Sequence, residues 1–261
     1  MPTLAIIGGG NLGTAIAAGL LNSNFCKPED LTVTKRNTHT LEALKARSVN
    51  IHSDNHKAVQ ENNVVILAIK PFQVEEVLGQ IKDLLTEKHL LISVVTGITL
   101  DEIKRIAGDH FTVLRAMPNT AIAIQQSMTC LSSVNASPEQ TKYTEELFGK
   151  LGKCITIDEK LMNAATVLGA CGTAYAMRYI RANIQGGIEI GFDAVTASLI
   201  AAQTVKGAAE LLLTSNTHPE QEIDKVTTPK GCTIAGLNEM EHRGFSSSLI
   251  KGIAASFNKI S

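Results

Sequence analysis

Short, uniformly apolar runs alternate with helix-period stretches through the first 120 residues. Leu4-Ala5-Ile6-Ile7 is such a run, and it ends in three glycines. The segment after them, NLGTAIAAGLLNS, carries apolar residues at helical spacing. Residues 31–34 (LTVT) make a second β-rich run, 40–47 read as a helix, and 64–69 (VVILAI) read as a buried strand. Lys70-Pro71 stops that strand, because proline has no N–H to give to a ladder. The pattern then predicts an amphipathic helix over 72–85, a strand over 90–95 closed by Thr96-Gly97, a helix over 100–107 and a strand over 112–115. Strands without alternation, interleaved with helices, mean a parallel sheet covered on both faces. The fold class is therefore α/β, opening with a doubly wound Rossmann domain.

The pattern changes near Asp158. Residues 161–213 are alanine-rich and helical in period, with no strand signal. Breaks are predicted at Gly186-Gly187, Gly191 and His218-Pro219, and a glycine-rich turn at 228–233 precedes a last helical stretch ending near Asn258. The reading is a dinucleotide-binding domain over 1–160 and an all-helical domain over 161–261. A helical domain of this size can hardly cover all its apolar helices in one copy, so a homodimer is expected.

Gly8, Gly10 and Gly13 fit GxGxxG between the first strand and the first helix, the context that gives this motif its meaning. Gly8 permits the tight turn, Gly10 lets backbone approach a pyrophosphate, and Gly13 allows close helix–strand packing; Asn11 and Leu12 lie between them. The helix N-terminus supplies free N–H groups and the positive end of a dipole. After the second strand the sequence runs Val33-Thr34-Lys35-Arg36-Asn37. An acid for a ribose 2′-hydroxyl is missing there, and two cations plus hydroxyl and amide donors stand where a 2′-phosphate would lie. NADP(H) is favoured over NAD(H).

Composition narrows the picture further. A net charge of −1 over 261 residues excludes the basic excess of a nucleic-acid or anionic-membrane binder. No apolar run is long enough for a membrane helix, and the N-terminus has no signal-peptide pattern, so a cytoplasmic protein is expected. The five cysteines form no CxxC pair and read as reduced thiols. The histidines form no HExxH, and no metal site is expected.

The stretches IIGGGNLG (6–13), LAIKP (67–71), SVVTGIT (93–99), RAMPNT (115–120), LGACGTAY (168–175), QGGIEIGF (185–192), TTPKGCT (227–233) and EHRGF (241–245) together resemble the pyrroline-5-carboxylate reductase family. That resemblance runs over essentially the whole chain. It implies reduction of the cyclic imine 1-pyrroline-5-carboxylate to proline by NAD(P)H, the last step of proline biosynthesis. It also implies dimers interlocked through the helical domain, which in this family often build larger rings. Carried over by position, Asn55 lies near the adenosine ribose. Ala68, Ile69, Lys70 and Pro71 line the ribose and nicotinamide side, Thr96 lines the cofactor, and Met117 and Asn119 edge the nicotinamide. Cys171, Gly172, Thr173, Lys230, Gly231, Cys232 and Thr233 form the substrate loops, with Thr233 near the imine nitrogen as the catalytic hydroxyl.

Departures from the family pattern cluster in those loops. GACGTAY stands where the family has SGSGPAY, which puts Cys171 in place of serine and Thr173 in place of proline. TPKGCT puts Lys230 in place of glycine. Gln185 replaces an acid. The backbone N–H groups of Lys230, Gly231 and Cys232 read as an anion nest for the substrate carboxylate, and the Lys230 ammonium could add attraction. Cys171 and Cys232 read as small packing residues, with no histidine beside them in sequence to activate a thiol. Competing readings are a non-catalytic NADPH-binding relative, a reductase of another cyclic imine, and a hydroxyacid dehydrogenase. The last needs a relay lysine at about Arg178, and arginine does not release its proton.

Overall fold

A computed structural model of the chain describes residues 2–260; Met1 and Ser261, the outer ends of the two expected domains, lie outside the described residues. The chain divides into two compact units. One runs from the N-terminus to Thr173 and includes Ile260; the other is Ala174–Lys259.

The strands are β1 Leu4–Ile7, β2 Leu31–Thr34, β3 Asn50–His52, β4 Val64–Leu67, β5 Leu90–Ser93, β6 Thr112–Met117, β7 Ser127–Ser133 and β8 Gly152–Thr156. They form one sheet in the order β3-β2-β1-β4-β5-β6-β7-β8. The helices of this unit are α1 Asn11–Asn22, α2 Glu42–Lys45, α3 Asn55–Glu61, α4 Val74–Ile81, α5 Leu100–Ala107, α6 Pro138–Gly149 and α7 Met162–Ala165. Two buried clusters, one around Ile6, Leu20 and Phe148 and one around Ile7, Leu78 and Ile103, sit on opposite faces of the sheet. This is the doubly wound architecture expected of alternating apolar strands and helices.

The sheet is not parallel throughout. β7 runs antiparallel to β6, with Met117 opposite Cys130 and Leu114 opposite Ser133. The connection between them holds only a single-turn helix, Thr120–Ile124, which is too short for a crossover, so the chain turns straight back. α6 then supplies a true crossover, and β8 returns parallel to β7.

The second unit is helical: α8 Gly172–Glu189, entered from the first unit, then α9 Ala194–Ser215, α10 Pro219–Lys225, α11 Cys232–His242 and α12 Phe245–Ile260. The break expected at Gly186-Gly187 does not occur, because α8 runs through both glycines. A Cβ on Gly187 would sit 3.1 Å from the Ala197 Cβ, so the glycine serves close packing of α8 on α9. The breaks at Gly191 and at His218-Pro219 are real; His218 caps α10 with proline at its first position. Ala197 and Ala201 alone are buried among the residues of this unit. Val195, Leu199, Ile190 and Ile250 are 65–80% exposed. Helices this apolar with so little internal core need a covering surface. Among the described residues, no helix is long and apolar enough to cross a membrane.

Candidate active site

Sheet order reverses between β1 and β4, and a doubly wound fold places its ligand crevice at the strand ends of such a switch point. The segments that leave those ends, 8–10 and 68–71, approach closely. Gly8 has φ +108°, and a Cβ there would lie 2.3 Å from the Ala68 carbonyl oxygen. A Cβ on Gly13 would lie 2.1 Å from the Gly8 carbonyl oxygen, so only glycine lets α1 start against β1. Gly10 is different: a Cβ there meets nothing within 4 Å. The open side at Gly10 faces no protein atom, and α1 begins with no side-chain cap and no acid in its first turn. Its first N–H groups therefore remain available to an anion. This cradle fits the pyrophosphate of a dinucleotide.

The end of β2 is tied into the same loop. The N–H groups of Gly8 and Gly9 both donate to the Thr34 carbonyl, at 3.2 and 2.7 Å. The buried Thr34 hydroxyl donates to Asn55 Oδ1 at 2.7 Å. That bond orients the Asn55 amide at the start of α3 and leaves its N–H groups to donate elsewhere. The Thr34–Asn55 bond carries no signal in the sequence, since the two residues lie 21 positions apart. Lys35 is half-buried, whereas Arg36 is exposed and donates to Glu76 on α4 at 2.9 Å. Such an exposed pair is worth little and yields readily to a phosphate. Thr96 is exposed after β5, and Lys70 and Pro71 are exposed after β4.

Asn119 is held at both ends of its side-chain amide. Its Oδ1 accepts from the Ala121 N–H at 3.0 Å, and its Nδ2 donates to the Gly169 carbonyl at 3.3 Å. The turn-forming use of this asparagine is thus realised. The Met117 side chain is buried with Cys130 and Met162, and does not form an open rim. Gly169 lies in a π-helical turn, Thr166–Cys171, and its carbonyl also accepts from the Thr173 hydroxyl at 3.4 Å. π-Turns inside helices mark functional sites more often than chance. This one coincides with the divergent GACGT loop, so Cys171, Gly172 and Thr173 are presented by a widened turn held by Asn119.

In the helical unit, 228–231 form a tight turn, with the Gly231 N–H donating to the Thr228 carbonyl at 2.9 Å. Pro229 occupies its second position, and Lys230, at φ +60°, takes the left-handed third position where glycine is normal. The anion nest expected of 230–232 is accordingly smaller, because the Gly231 N–H is already used. Gly231 caps α11, so Cys232 and Thr233 occupy its first two positions. Thr233 is not the cap, and its hydroxyl has no partner among the described residues. Cys232 is exposed rather than packed. Burial raises the thiol pKa of Cys26 to about 11 and moves those of Cys130 and Cys154 in the same direction. Thiolate is scarce at all three, and they are inert.

A glycine cradle at the switch point of a doubly wound sheet, followed by a helical unit, defines a two-domain, dinucleotide-binding protein. Two family models match: an NADP oxidoreductase, coenzyme F420-dependent, over residues 3–97, and pyrroline-5-carboxylate reductase dimerisation over residues 159–261. The chain is 48% identical to pyrroline-5-carboxylate reductase 1 of Dictyostelium discoideum, across 98% of this chain and 49% of that protein. It is 44% identical to pyrroline-5-carboxylate reductase 2 of the same organism, across 99% of this chain and 92% of that protein. It thus spans about half the length of the first relative and nearly all of the second. The crystal structure of Plasmodium falciparum pyrroline carboxylate reductase with NADP bound matches with a TM-score of 0.92 at 27% identity, over 99% of this chain and 97% of that one. The chain belongs to the pyrroline-5-carboxylate reductase family.

Proposed function

We propose that this chain reduces 1-pyrroline-5-carboxylate to proline with NADPH. The observation that carries the reading is the 44% identity to a reductase of that name along nearly the full length of both chains. Bound at the glycine cradle, a reduced nicotinamide supplies the hydride. The chain's own task is to hold, orient and exclude. Gly8, Gly10, Asn11, Leu12 and Gly13 hold the pyrophosphate, and Asn55 meets the ribose. Ala68, Ile69, Lys70, Pro71 and Thr96 border the rest of the cofactor, and the buried Met117 and the turn held by Asn119 back the nicotinamide side. A protonated imine is already electrophilic, so no strong general acid is required. Thr233 orients the imine nitrogen, and the free N–H groups at the start of α11, with Lys230, receive the carboxylate. Cys171, Gly172 and Thr173 are substrate-loop residues in the same reading.

In this reading Lys35 and Arg36 select NADPH by its 2′-phosphate. Replacing both by alanine weakens NADPH by about 1.5–3 kcal/mol for each charge-assisted bond lost. NADH binding stays nearly unchanged, and fluorescence titration of both cofactors separates the two. Equal losses for both would overturn the selection.

The helical domain, 161–261, is proposed as the dimerisation and substrate domain of a homodimer, with rings of dimers as a further level. Val195 and Leu199, four residues apart on α9, are 80% and 71% exposed. Leu199→Glu places a charge on that face and shifts full-length protein to monomer in analytical ultracentrifugation, with the secondary structure unchanged. An unaltered oligomer would remove α9 from the interface. A cytoplasmic location belongs to the same reading, and five free cysteines agree with a reducing compartment.

A further inference from the structure

Arg115 stands on β6 and is 2% exposed. Its Nη1 donates to Glu159 Oε1 at 3.0 Å, and that oxygen also accepts from the Leu100 N–H. Nε and Nη2 are buried and have no partner among the described residues. These two N–H groups form the side-on fork of the guanidinium, the edge that meets a carboxylate through two parallel hydrogen bonds. A buried donor left bare is costly, and an orphaned pair calls for an explanation.

Arg115 forms part of the wall of a cavity of about 640 Å³ within the first unit. Ser132 is its direct register partner on β7, so both side chains leave the sheet on one face. Ser132 lines the same cavity, is 3% exposed, and its hydroxyl has no partner among the described residues. Two nearly buried polar side chains therefore meet at one wall with hydrogen-bonding capacity unused. The rim carries charge of a definite pattern. Lys160 pairs with Asp158 at 3.0 Å, and Arg115 pairs with Glu159. The Asp101 carboxylate has no cationic partner among the described residues. The lining is left with one uncompensated negative charge.

We propose that this cavity binds a small α-amino acid zwitterion, with its carboxylate on the Arg115 fork and the Ser132 hydroxyl and its ammonium toward Asp101. A simple anion would leave Asp101 unpaired and face a net negative wall; a simple cation would leave the fork bare. The fork lies below the water-accessible surface, so binding parts the wall slightly. None of these residues takes part in the proposed reduction, and the site stands or falls independently of it.

Isothermal titration calorimetry of the full-length protein tests this with three probes: L-alanine, propionate, which lacks the ammonium, and ethylamine, which lacks the carboxylate. L-Alanine gives saturable binding, and each fragment binds at least about tenfold more weakly, the scale of one lost charge-assisted contact. Asp101→Asn, on the exposed rim, brings L-alanine to the level of propionate, and Ser132→Ala weakens it. Thr233→Val leaves it unchanged. Arg115 is kept, because its loss strands Glu159. Absence of saturable L-alanine binding would overturn the assignment, as would equal affinity for propionate or indifference to both variants. A soaked crystal with ordered water alone on Nε and Nη2 would also overturn it.

Discussion

Gly10→Ala folds normally and loses NADPH, whereas Gly13→Ala loses stability itself. The two glycines look alike in the motif, but their surroundings differ. A Cβ on Gly13 would press on the Gly8 carbonyl oxygen at 2.1 Å, a backbone atom that cannot swing aside. α1 would have to lift from β1, at a cost of about 3 kcal/mol or more, the upper range for overpacking. A Cβ on Gly10 meets no protein atom, and the Gly10 backbone, at φ −81°, suits alanine. Its added methyl would occupy the space through which a pyrophosphate reaches the free N–H groups of α1. Thermal unfolding should give Gly10→Ala an unchanged Tm and Gly13→Ala a clearly lower one. Fluorescence titration should show Gly10→Ala binding NADPH weaker by on the order of a hundredfold, about 2.7 kcal/mol. Normal NADPH affinity in Gly10→Ala would mean that the cradle is not the cofactor site.

Thr233→Val should cost roughly tenfold or more in kcat/KM, about 1.4 kcal/mol or more of transition-state stabilisation. The imine carbon accepts hydride productively only while its nitrogen is held in one orientation. A hydroxyl supplies that hold at any pH, whereas a neutral thiol is a weak donor. Thr233 occupies the second position of α11, and its hydroxyl has no competing partner among the described residues. Valine keeps the shape and removes only the donor. NADPH affinity should barely move, because the cofactor residues belong to the other unit. Cys171→Ser restores the usual family residue and should be tolerated. Full activity in Thr233→Val together with its loss in Cys232→Ala would transfer the role to the thiol.

The parts of the fold that could be read from sequence were those whose burial is uniform. β1 and β4 are apolar throughout, β2 and β5 are buried along their whole length, and each stands out as a short run of strand-forming residues. α5 begins and ends where its pattern predicts, because Thr99 and Glu102 form a reciprocal cap at its start. β7 (SMTCLSS) and β8 (GKCIT) are mixed in polarity at the end of the sheet and carry no such run. β3 has only three residues and takes its register from β2. Gly186-Gly187 misleads because a glycine that admits a neighbouring helix looks, in sequence, like one that ends its own. The site divides in the same way. The glycine cradle is local and legible. The Thr34–Asn55 bond, the Arg36–Glu76 pair and the Arg115–Glu159 pair depend on partners 21, 40 and 44 residues distant. The π-turn at 166–171 adds one residue to a helical turn, and no periodicity records it.

The central claim is imine reduction, and its most direct measurement is NADPH oxidation followed at the nicotinamide absorbance. 1-Pyrroline-5-carboxylate and its six-membered homologue are supplied in parallel. The account predicts substrate-dependent oxidation with the five-membered imine, at a higher kcat/KM than with the six-membered one, and formation of proline in equal amount to the NADPH consumed. Tight NADPH binding with no turnover of either imine would contradict it.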